Sequence, residues 1–593
     1  MTLLDGLYRA GALEPIDFQL GRLFERTARR MVAPGTASLL GVAGARVSAD
    51  RRRGHACVPV ELFAELPPLD ADSGQGGPAP SLPPLAEWSD ALAAGTAAGL
   101  CGDGSVPSPL VMDGGRIYLY RYWAAERRLG HALRRLITHR PDVPGAAADA
   151  LFPKLFPPPA DGSEDLQASA ARAALTRRLA VITGGPGTGK TTTVARILAL
   201  LLEDDPARQV ALAAPTGKAA ARLRDAVASE LARLDLPAAL RARMPAEGKT
   251  LHRLLGYRPG DDRFGRDAER PLTEDVVVVD EASMVDLLLM DSLFAALRPG
   301  ARVVLLGDHA QLASVAAGAV LGDFCGLAIG APAPLGGTVV QLRRSYRFEQ
   351  RPGIGMVAEA MRAGDAAGVA AALRDPCNAE VALRPHPAEP EDILEPVSAE
   401  LDAFLAASEP AAALAALGAF RILCATYAGD WGVDAMNALV ESRLRRRGLD
   451  AGGMHHDHQP VLVTSNDYLT QLFNGDVGVL LGEGGEQRAW FADGAGEVRS
   501  FVPARLPPHR PAWAMTVHKA QGSEFDRVLL VLPEGDTRVL GRELLYTAVT
   551  RAKQSVDIVG TQEGIGTWLA RVMARRSGLA DAIGLPGAVE PAR

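Results

Sequence analysis

The sequence predicts an α/β protein: two domains built on parallel sheets, a small β-rich insertion in the second, and a small, mainly helical N-terminal domain. Three observations predict it. Leu179-Ala180-Val181-Ile182 runs into Gly184-Gly185-Pro186-Gly187-Thr188-Gly189-Lys190-Thr191-Thr192, and a helical apolar rhythm follows from Val194 to Leu201, so strand, glycine-rich turn and helix succeed one another. Two sets of nearly unbroken apolar runs, separated by helical patterns, read as parallel strands buried on both faces. Within the second set, residues 459–508 are strand-rich, with turn signals at Asn474-Gly475-Asp476 and at 482–485.

Residues 1–115 read as the N-terminal domain. Apolar spacing over 13–32 is helical, 44–66 is mixed, and the Pro/Gly/Ser-rich stretch 67–84 is a loop. Residues 117–136 return to a helical rhythm, and their aromatics, Tyr118, Tyr120, Tyr122 and Trp123, read as core rather than as a base-stacking surface. The first α/β domain, 116–342, has candidate strands at 179–183, 209–214, 276–280 and 302–307. Inside it the Gly-, Pro-, Asp- and Arg-rich stretch 257–272 is either a plain surface loop or a protruding hairpin. The second α/β domain, 343–593, has candidate strands at 420–425, 527–532 and 555–560, with the β-domain inserted at 459–508.

Composition narrows the function classes. The chain has 593 residues, enough for about four domains at ~150 residues each. A net charge of −7 excludes a basic surface over the whole molecule and confines any nucleic-acid contact to a local groove. The cysteines, Cys57, Cys101, Cys325, Cys377 and Cys424, lie far apart without a C-x-x-C pair, which argues against a zinc ribbon and fits a reducing cytoplasm. Met1 to Gly11 lacks the pattern of a signal peptide, and no stretch is apolar enough for a membrane span, so no membrane partner is expected. His455-His456-Asp457-His458 reads as a solvated linker, since no further ligand spacing supports a metal site.

The glycine-rich turn carries chemistry. Its glycines let backbone N–H groups converge on phosphate oxygens, and the helix N-terminus adds positive partial charge. Lys190 can reach the β- and γ-phosphates, and Thr191 can offer its hydroxyl to Mg²⁺. A nucleoside triphosphate is therefore expected here. Val276 to Val279 delivers Asp280 and Glu281 beside that turn, the first placed to hold Mg²⁺ and the second to polarise an attacking water. The next strand ends in Gly307-Asp308, followed by Gln311, which is suited to sensing the γ-phosphate. Arg347 and Arg551 are the residue type that stabilises a transferred phosphoryl group from across a cleft.

These segments, in this order, resemble superfamily 1 helicases, and more closely the RecD family of exodeoxyribonuclease V (RecBCD) alpha subunits. The resemblance rests on 184–193, 213–223, 250–256, 278–284, 312–323, 472–478, 513–526 and 546–552, with a looser match around Leu13 to Gln19. It implies two RecA-like motor domains and a barrel-like β-insertion. It implies Gln167 reading adenine, Tyr346 near the base and Glu524 on the ribose. Pro215, Thr216, Lys218, His252, Thr516, His518 and Lys519 become candidates for backbone contacts to single-stranded DNA. It further implies an ATP- and Mg²⁺-dependent 5′-to-3′ DNA helicase acting at DNA ends. RecB-like and RecC-like partner subunits and the processing of double-strand breaks for recombination belong to the same implication.

Three other readings stand beside this one, the last an RNA helicase, because backbone contacts do not by themselves read the sugar. A longer stand-alone RecD-like helicase would carry extra DNA-binding helices, whereas only 1–115 precedes the motor. An assembly subunit with a vestigial ATPase would not need Lys190, Asp280, Glu281, Gln311, Arg347 and Arg551 together. No cluster of carboxylates with a lysine lies outside the triphosphate motifs, so this chain is expected not to cut phosphodiesters itself. Metal-dependent degradation of DNA by the purified chain would contradict that expectation.

Overall fold

The computed structural model describes residues 2–67, 78–159, 162–258, 260–261, 263–349, 351–448, 456–467, 469–482, 486–492, 498–535, 537 and 539–584. His455 of the histidine run, most of the predicted loop 67–84, and the turn residues 483–485 lie outside them.

In the N-terminal part, helices Leu3–Arg9, Pro15–Ala28, Pro34–Arg52 and Leu85–Ala97 pack over a small sheet ordered Val58–Pro59, Arg116–Leu119, Leu110–Asp113, Cys101–Gly102. Leu40, Phe63, Trp88 and Ile117 fill its core. The helical rhythm expected from residue 117 begins at Tyr120, because Arg116–Leu119 pairs as a strand before the helix Tyr120–Ile137. Of the aromatics there, Tyr118 is core, as expected, while Tyr120, Tyr122 and Trp123 are half-buried and pack against the core from outside. Tyr118 is buried, the Tyr120 and Trp123 rings lie 5.9 Å apart, and Trp123 Nε1 donates to Asp113 at 2.8 Å.

The first large sheet is parallel throughout, in the order Val339–Leu342, Leu179–Gly184, Arg302–Gly307, Val276–Val279, Val210–Ala214, Gly248–Thr250. Helices cover both faces: Leu166–Thr176, Lys190–Asp204 and Gly217–Arg233 on one, Tyr120–Ile137, Leu287–Ala295 and Val320–Ala328 on the other. The second sheet, also parallel, runs Val381–Arg384, Ala552–Val559, Phe525–Val531, Phe420–Cys424, Ala514–Thr516. The apolar runs named from sequence are the inner strands. The four strands that pattern did not mark, Gly248–Thr250, Val339–Leu342, Val381–Arg384 and Ala514–Thr516, are all edges, three or four residues long. The insertion is a five-stranded antiparallel sheet among the described residues, ordered Val498–Phe501, Arg488–Ala492, Val477–Leu481, Gln459–Val463, His509–Pro511. Its last strand, His509–Pro511, lies wholly beyond the expected limit of residue 508 and leads into the edge strand Ala514–Thr516.

The C-terminal segment leaves the second lobe and returns to the first. Arg575 Nη1 donates to the carbonyls of Ala316 (2.6 Å) and Gly318 (3.2 Å), and Arg576 N donates to His55 Nδ1 at 3.1 Å. Ser577 Oγ donates to Asp323 (2.8 Å), and helix Leu579–Ile583 buries Leu579 and Ile583 beside Leu129 and Leu133. At this three-way seam Glu126 is buried and accepts from Gly578 N at 2.8 Å. Burial, then the charge of Asp323, pushes its carboxyl up to about 8 against the Gly578 bond.

A carboxyl whose folded pKa lies above its unfolded value favours the folded state while it is protonated. That contribution is full below the unfolded pKa and is lost as pH rises through about 8. Glu126→Gln keeps an acceptor for Gly578 and removes the titration. Its melting temperature is expected to exceed that of the parent chain by a margin that widens from weakly acidic to weakly alkaline pH. A constant or negative difference in thermal unfolding would contradict this reading of the seam.

Candidate functional site

The inner strands Leu179–Gly184, Arg302–Gly307 and Val276–Val279 are adjacent and parallel, so their carboxyl ends deliver the glycine-rich turn, Asp308 and the Asp280–Glu281 pair to one place. A cavity of about 630 Å³ opens there between the lobes. Gln167, Pro186 to Thr192, Asp280, Glu281, Gln311, Tyr346 and Arg347 line one bank and its rim, with Glu524 and Arg551 opposite. Gly184 and Gly185 sit at the base of the turn, where their carbonyls accept from Lys190 Nζ at 2.5 and 2.9 Å.

The turn's glycines are needed for close approach as well as for backbone shape. Gly187 has φ +72°, and a Cβ on it would lie 2.3 Å from the Cβ of Arg347. On Gly189, φ +81°, a Cβ would strike Gln167 Nε2 at 2.4 Å. Gln167 Nε2 donates to Thr188 O at 3.3 Å. Ser345 Oγ donates to Pro186 O (2.8 Å) and Tyr346 N to Gly187 O (2.9 Å), so the segment bearing Arg347 is laced to the turn. The Tyr346 ring is half exposed, with the Arg344 guanidinium 5.0 Å from its centre.

Glu281 sits in the left-handed region at φ 51°, a conformation that costs energy for a residue with a side chain. Its N–H donates to Asp280 Oδ1 at 2.8 Å. Burial and then the charge of Glu281 push the Asp280 carboxyl up, while Lys190 and Arg222 oppose the rise. A cation beside Asp280 would relieve both penalties, which fits Mg²⁺ held by Thr191, Asp280 and phosphate oxygens.

Glu524 comes from the second lobe and is gripped twice: by Arg347 at 2.7 Å and by Arg222 at 3.1 Å. Burial pushes its carboxyl up, but Arg222 and then Arg347 override this and hold it down at about 2. Arg347 Nη1 is buried without a partner, an orphan donor that suits an anionic ligand. Arg551 is buried, with Nε donating to Thr547 O (3.1 Å) and Nη1 to Ser523 O (3.2 Å). Asp308 links the lobes through one carboxylate oxygen that accepts from Gln311 Nε2 at 3.0 Å and Tyr546 Oη at 2.8 Å. Leu312 N donates to Thr547 Oγ1, and Gln521 Nε2 to Leu312 O, both at 2.9 Å.

The residues named as strand contacts lie at the edges of the two sheets. Pro215 and Thr216 follow the strand Val210–Ala214, next to the edge strand Gly248–Thr250, and Thr516 ends the other edge strand. Lys218 Nζ donates to Ser523 Oγ, and Lys519 Nζ to Asn474 Oδ1, both at 2.8 Å. Phe473 of the insertion lies against Gly217. Thr216 Oγ1 caps its helix by accepting from Ala219 N at 3.2 Å, and the buried Thr516 Oγ1 accepts from Lys519 N at 3.3 Å. His518 is half-buried, and burial lowers its pKa. His252 packs against Tyr257 (5.3 Å) and Phe264 (5.8 Å), inside the base of the 257–272 segment. That segment pairs Arg258 with Arg263, and residues 259 and 262 lie outside the described positions.

Sequence reasoning missed Arg222, Ser345 and the Asp308–Tyr546 bond. Arg222 was within reach, since it stands four residues beyond Lys218 on one helix and hence on the same face.

Family profiles match three parts of the chain: "AAA domain" over 167–317, "UvrD-like helicase C-terminal domain" over 511–559, and "RecBCD enzyme subunit RecD, N-terminal domain" over 9–118. The chain is 42% identical over 517 residues to the RecBCD enzyme subunit RecD of Mycobacterium tuberculosis, covering 84% of each chain. It is 32% identical to that of Haemophilus influenzae, covering 80% of this chain and 81% of the relative. Against the ATP-dependent RecD2 DNA helicase of Deinococcus radiodurans it is 33% identical, covering 75% of this chain but 55% of the relative. Among solved structures, the Pif1 helicase from Candida albicans matches with a TM-score of 0.38 at 16% identity, covering 72% of this chain and 96% of that one.

The Tyr546–Asp308 bond crosses the cleft between a strand end of the first lobe and the helix Arg542–Val549. A hydrogen bond to a charged group contributes about 1.5–3 kcal/mol. Tyr546→Phe is therefore expected to lower DNA-stimulated ATP turnover about tenfold, with a smaller effect on binding of a fluorescent ATP analogue. Steady-state kinetics alongside analogue titration would reveal an equal loss in both, which would make the hydroxyl a binding group only.

Proposed function

The chain belongs to the RecD family of RecBCD enzyme subunits, and on that premise we propose that it is an ATP-driven DNA helicase subunit of a RecBCD-type helicase and nuclease complex. The observation that carries the mechanism is the cavity between the lobes, with Lys190, Asp280 and Glu281 on one bank and Glu524 and Arg551 on the other. A triphosphate there is contacted from both lobes, so binding favours closure and hydrolysis releases it. Bound Mg²⁺ would neutralise phosphate charge, with Thr191 and Asp280 as its protein ligands. Gln167 and Tyr346 hold the base, Gln311 senses the γ-phosphate, and Arg347 and Arg551 answer developing charge.

Single-stranded DNA crosses the sheet edges past Thr216, Lys218, His518 and Lys519, held by its backbone. Movement is 5′ to 3′, and the task is resection of double-strand breaks for recombination in the cytoplasm. Residues 1–115 dock the chain to RecB-like and RecC-like partners. Coverage supports a subunit rather than a stand-alone enzyme, because the chain spans 84% of the mycobacterial RecD but 55% of RecD2. Residues 257–272, braced on His252 by Tyr257 and Phe264, split the duplex.

One experiment tests the set. Co-expression with the RecB-like and RecC-like chains should yield a heterotrimer that unwinds 5′-tailed duplexes through this subunit. Lys190→Gln should abolish that unwinding together with this chain's ATP hydrolysis. Deleting 257–272 should abolish unwinding while sparing DNA-stimulated hydrolysis. Full unwinding by the Lys190→Gln assembly would instead support the vestigial-ATPase reading.

A further inference from the structure

Arg222 belongs to none of the sequence motifs read as catalytic, yet it lines the cavity with Lys190, Asp280, Glu281 and Arg347. It projects from helix Gly217–Arg233 of the first lobe. Its guanidinium reaches the second lobe twice, donating to Gly522 O at 2.5 Å and pairing with Glu524 at 3.1 Å. Lys218, one turn earlier on the same helix, donates to Ser523 Oγ at 2.8 Å. One helical face thus holds three successive residues of the second lobe, 522 to 524.

Both ends of this contact lead to a functional surface. The helix opens at Thr216 and Lys218, on the proposed strand track. The segment 522–524 follows directly on Thr516, His518 and Lys519, the track's other bank. The Glu524 carboxylate is shared with Arg347, and Ser523 O accepts from Arg551, so both proposed phosphate-facing arginines end on the segment that Arg222 grips. Any triphosphate that draws Arg347 or Arg551 toward itself changes what Glu524 and Ser523 hold. Arg222 passes that change to a rigid helix whose first turn faces the strand.

We infer that Arg222 is a positioning residue that couples the triphosphate site to the grip on single-stranded DNA, by tying the helix that carries Thr216 and Lys218 to the Gly522–Glu524 segment. This rests on the translocase reading above. The competing account is a half-exposed surface ion pair, which contributes little and carries no information between sites. The carbonyl bond to Gly522 and the shared carboxylate separate the two accounts.

The test measures coupling as a ratio. Single-stranded DNA affinity of the full chain is read by fluorescence anisotropy with and without a non-hydrolysable ATP analogue and Mg²⁺. Arg222→Gln is expected to move the ratio of the two affinities toward one, by about fivefold or more, the low end of ordinary coupling factors. Arg222→Lys keeps the charge without the fork that serves Gly522 and Glu524 together, and it should recover part of the ratio. A merely structural ion pair would shift the melting temperature and both affinities together. An Arg222→Gln ratio within twofold of the parent would therefore overturn the inference. A parent chain whose DNA affinity ignores the nucleotide would count against the translocase reading instead.

Discussion

Lys190, Arg196, Arg222, Arg347 and Arg551 converge on one cleft, and carboxylates are interleaved among them where the lobes meet. Glu524 is the central one. It arrives from the second lobe and is shared by guanidiniums of the helix Gly217–Arg233 and of the segment laced to the glycine-rich turn. Asp280 and Glu281 face each other's charge at the carboxyl end of a buried strand, and Lys190 and Arg222 offset that repulsion. A polyanion with a divalent cation would compete for both the cations and the carboxylates of these pairings. The cleft is therefore a balance of charges that a nucleotide can tip, rather than a socket of fixed shape.

Topology divides the labour. In the first sheet the inner strands deliver the glycine-rich turn and its neighbouring carboxylates, and the edge strand Gly248–Thr250 borders the proposed strand track. In the second, the edge strand Ala514–Thr516 does the same. The chain enters that edge straight from the last strand of the antiparallel insertion, which brings Asn474 within hydrogen-bond reach of Lys519. The insertion thus flanks the proposed track, and its Phe473 rests on Gly217 at the mouth of the first-lobe helix.

How much of this was legible in the sequence depended on burial. Strands buried on both faces write continuous apolar runs such as Val276 to Val279. Edge strands of three or four residues, such as Gly248-Lys249-Thr250, write nothing a pattern can hold. The glycine-rich turn was legible because backbone geometry demands glycine where a Cβ would come within 2.4 Å of a neighbour. Arg222 was within reach by its spacing from Lys218 but was not read, since its partner Glu524 stands about three hundred residues away and only the fold brings the two together. Thr216 and Thr516 were read as strand contacts, yet their hydroxyls also cap local backbone, a use that sequence leaves open.

The chain crosses from the first lobe to the second after Val339–Leu342 and crosses back through Arg575, Arg576 and Ser577 to bury Leu579 and Ile583. A lone linker would let the lobes tumble about a point. Two covalent tethers, like a pair of door pins, would limit any relative movement of the lobes to swinging about the line that joins the pins. For a motor that closes on a triphosphate, such pins would give the stroke a direction.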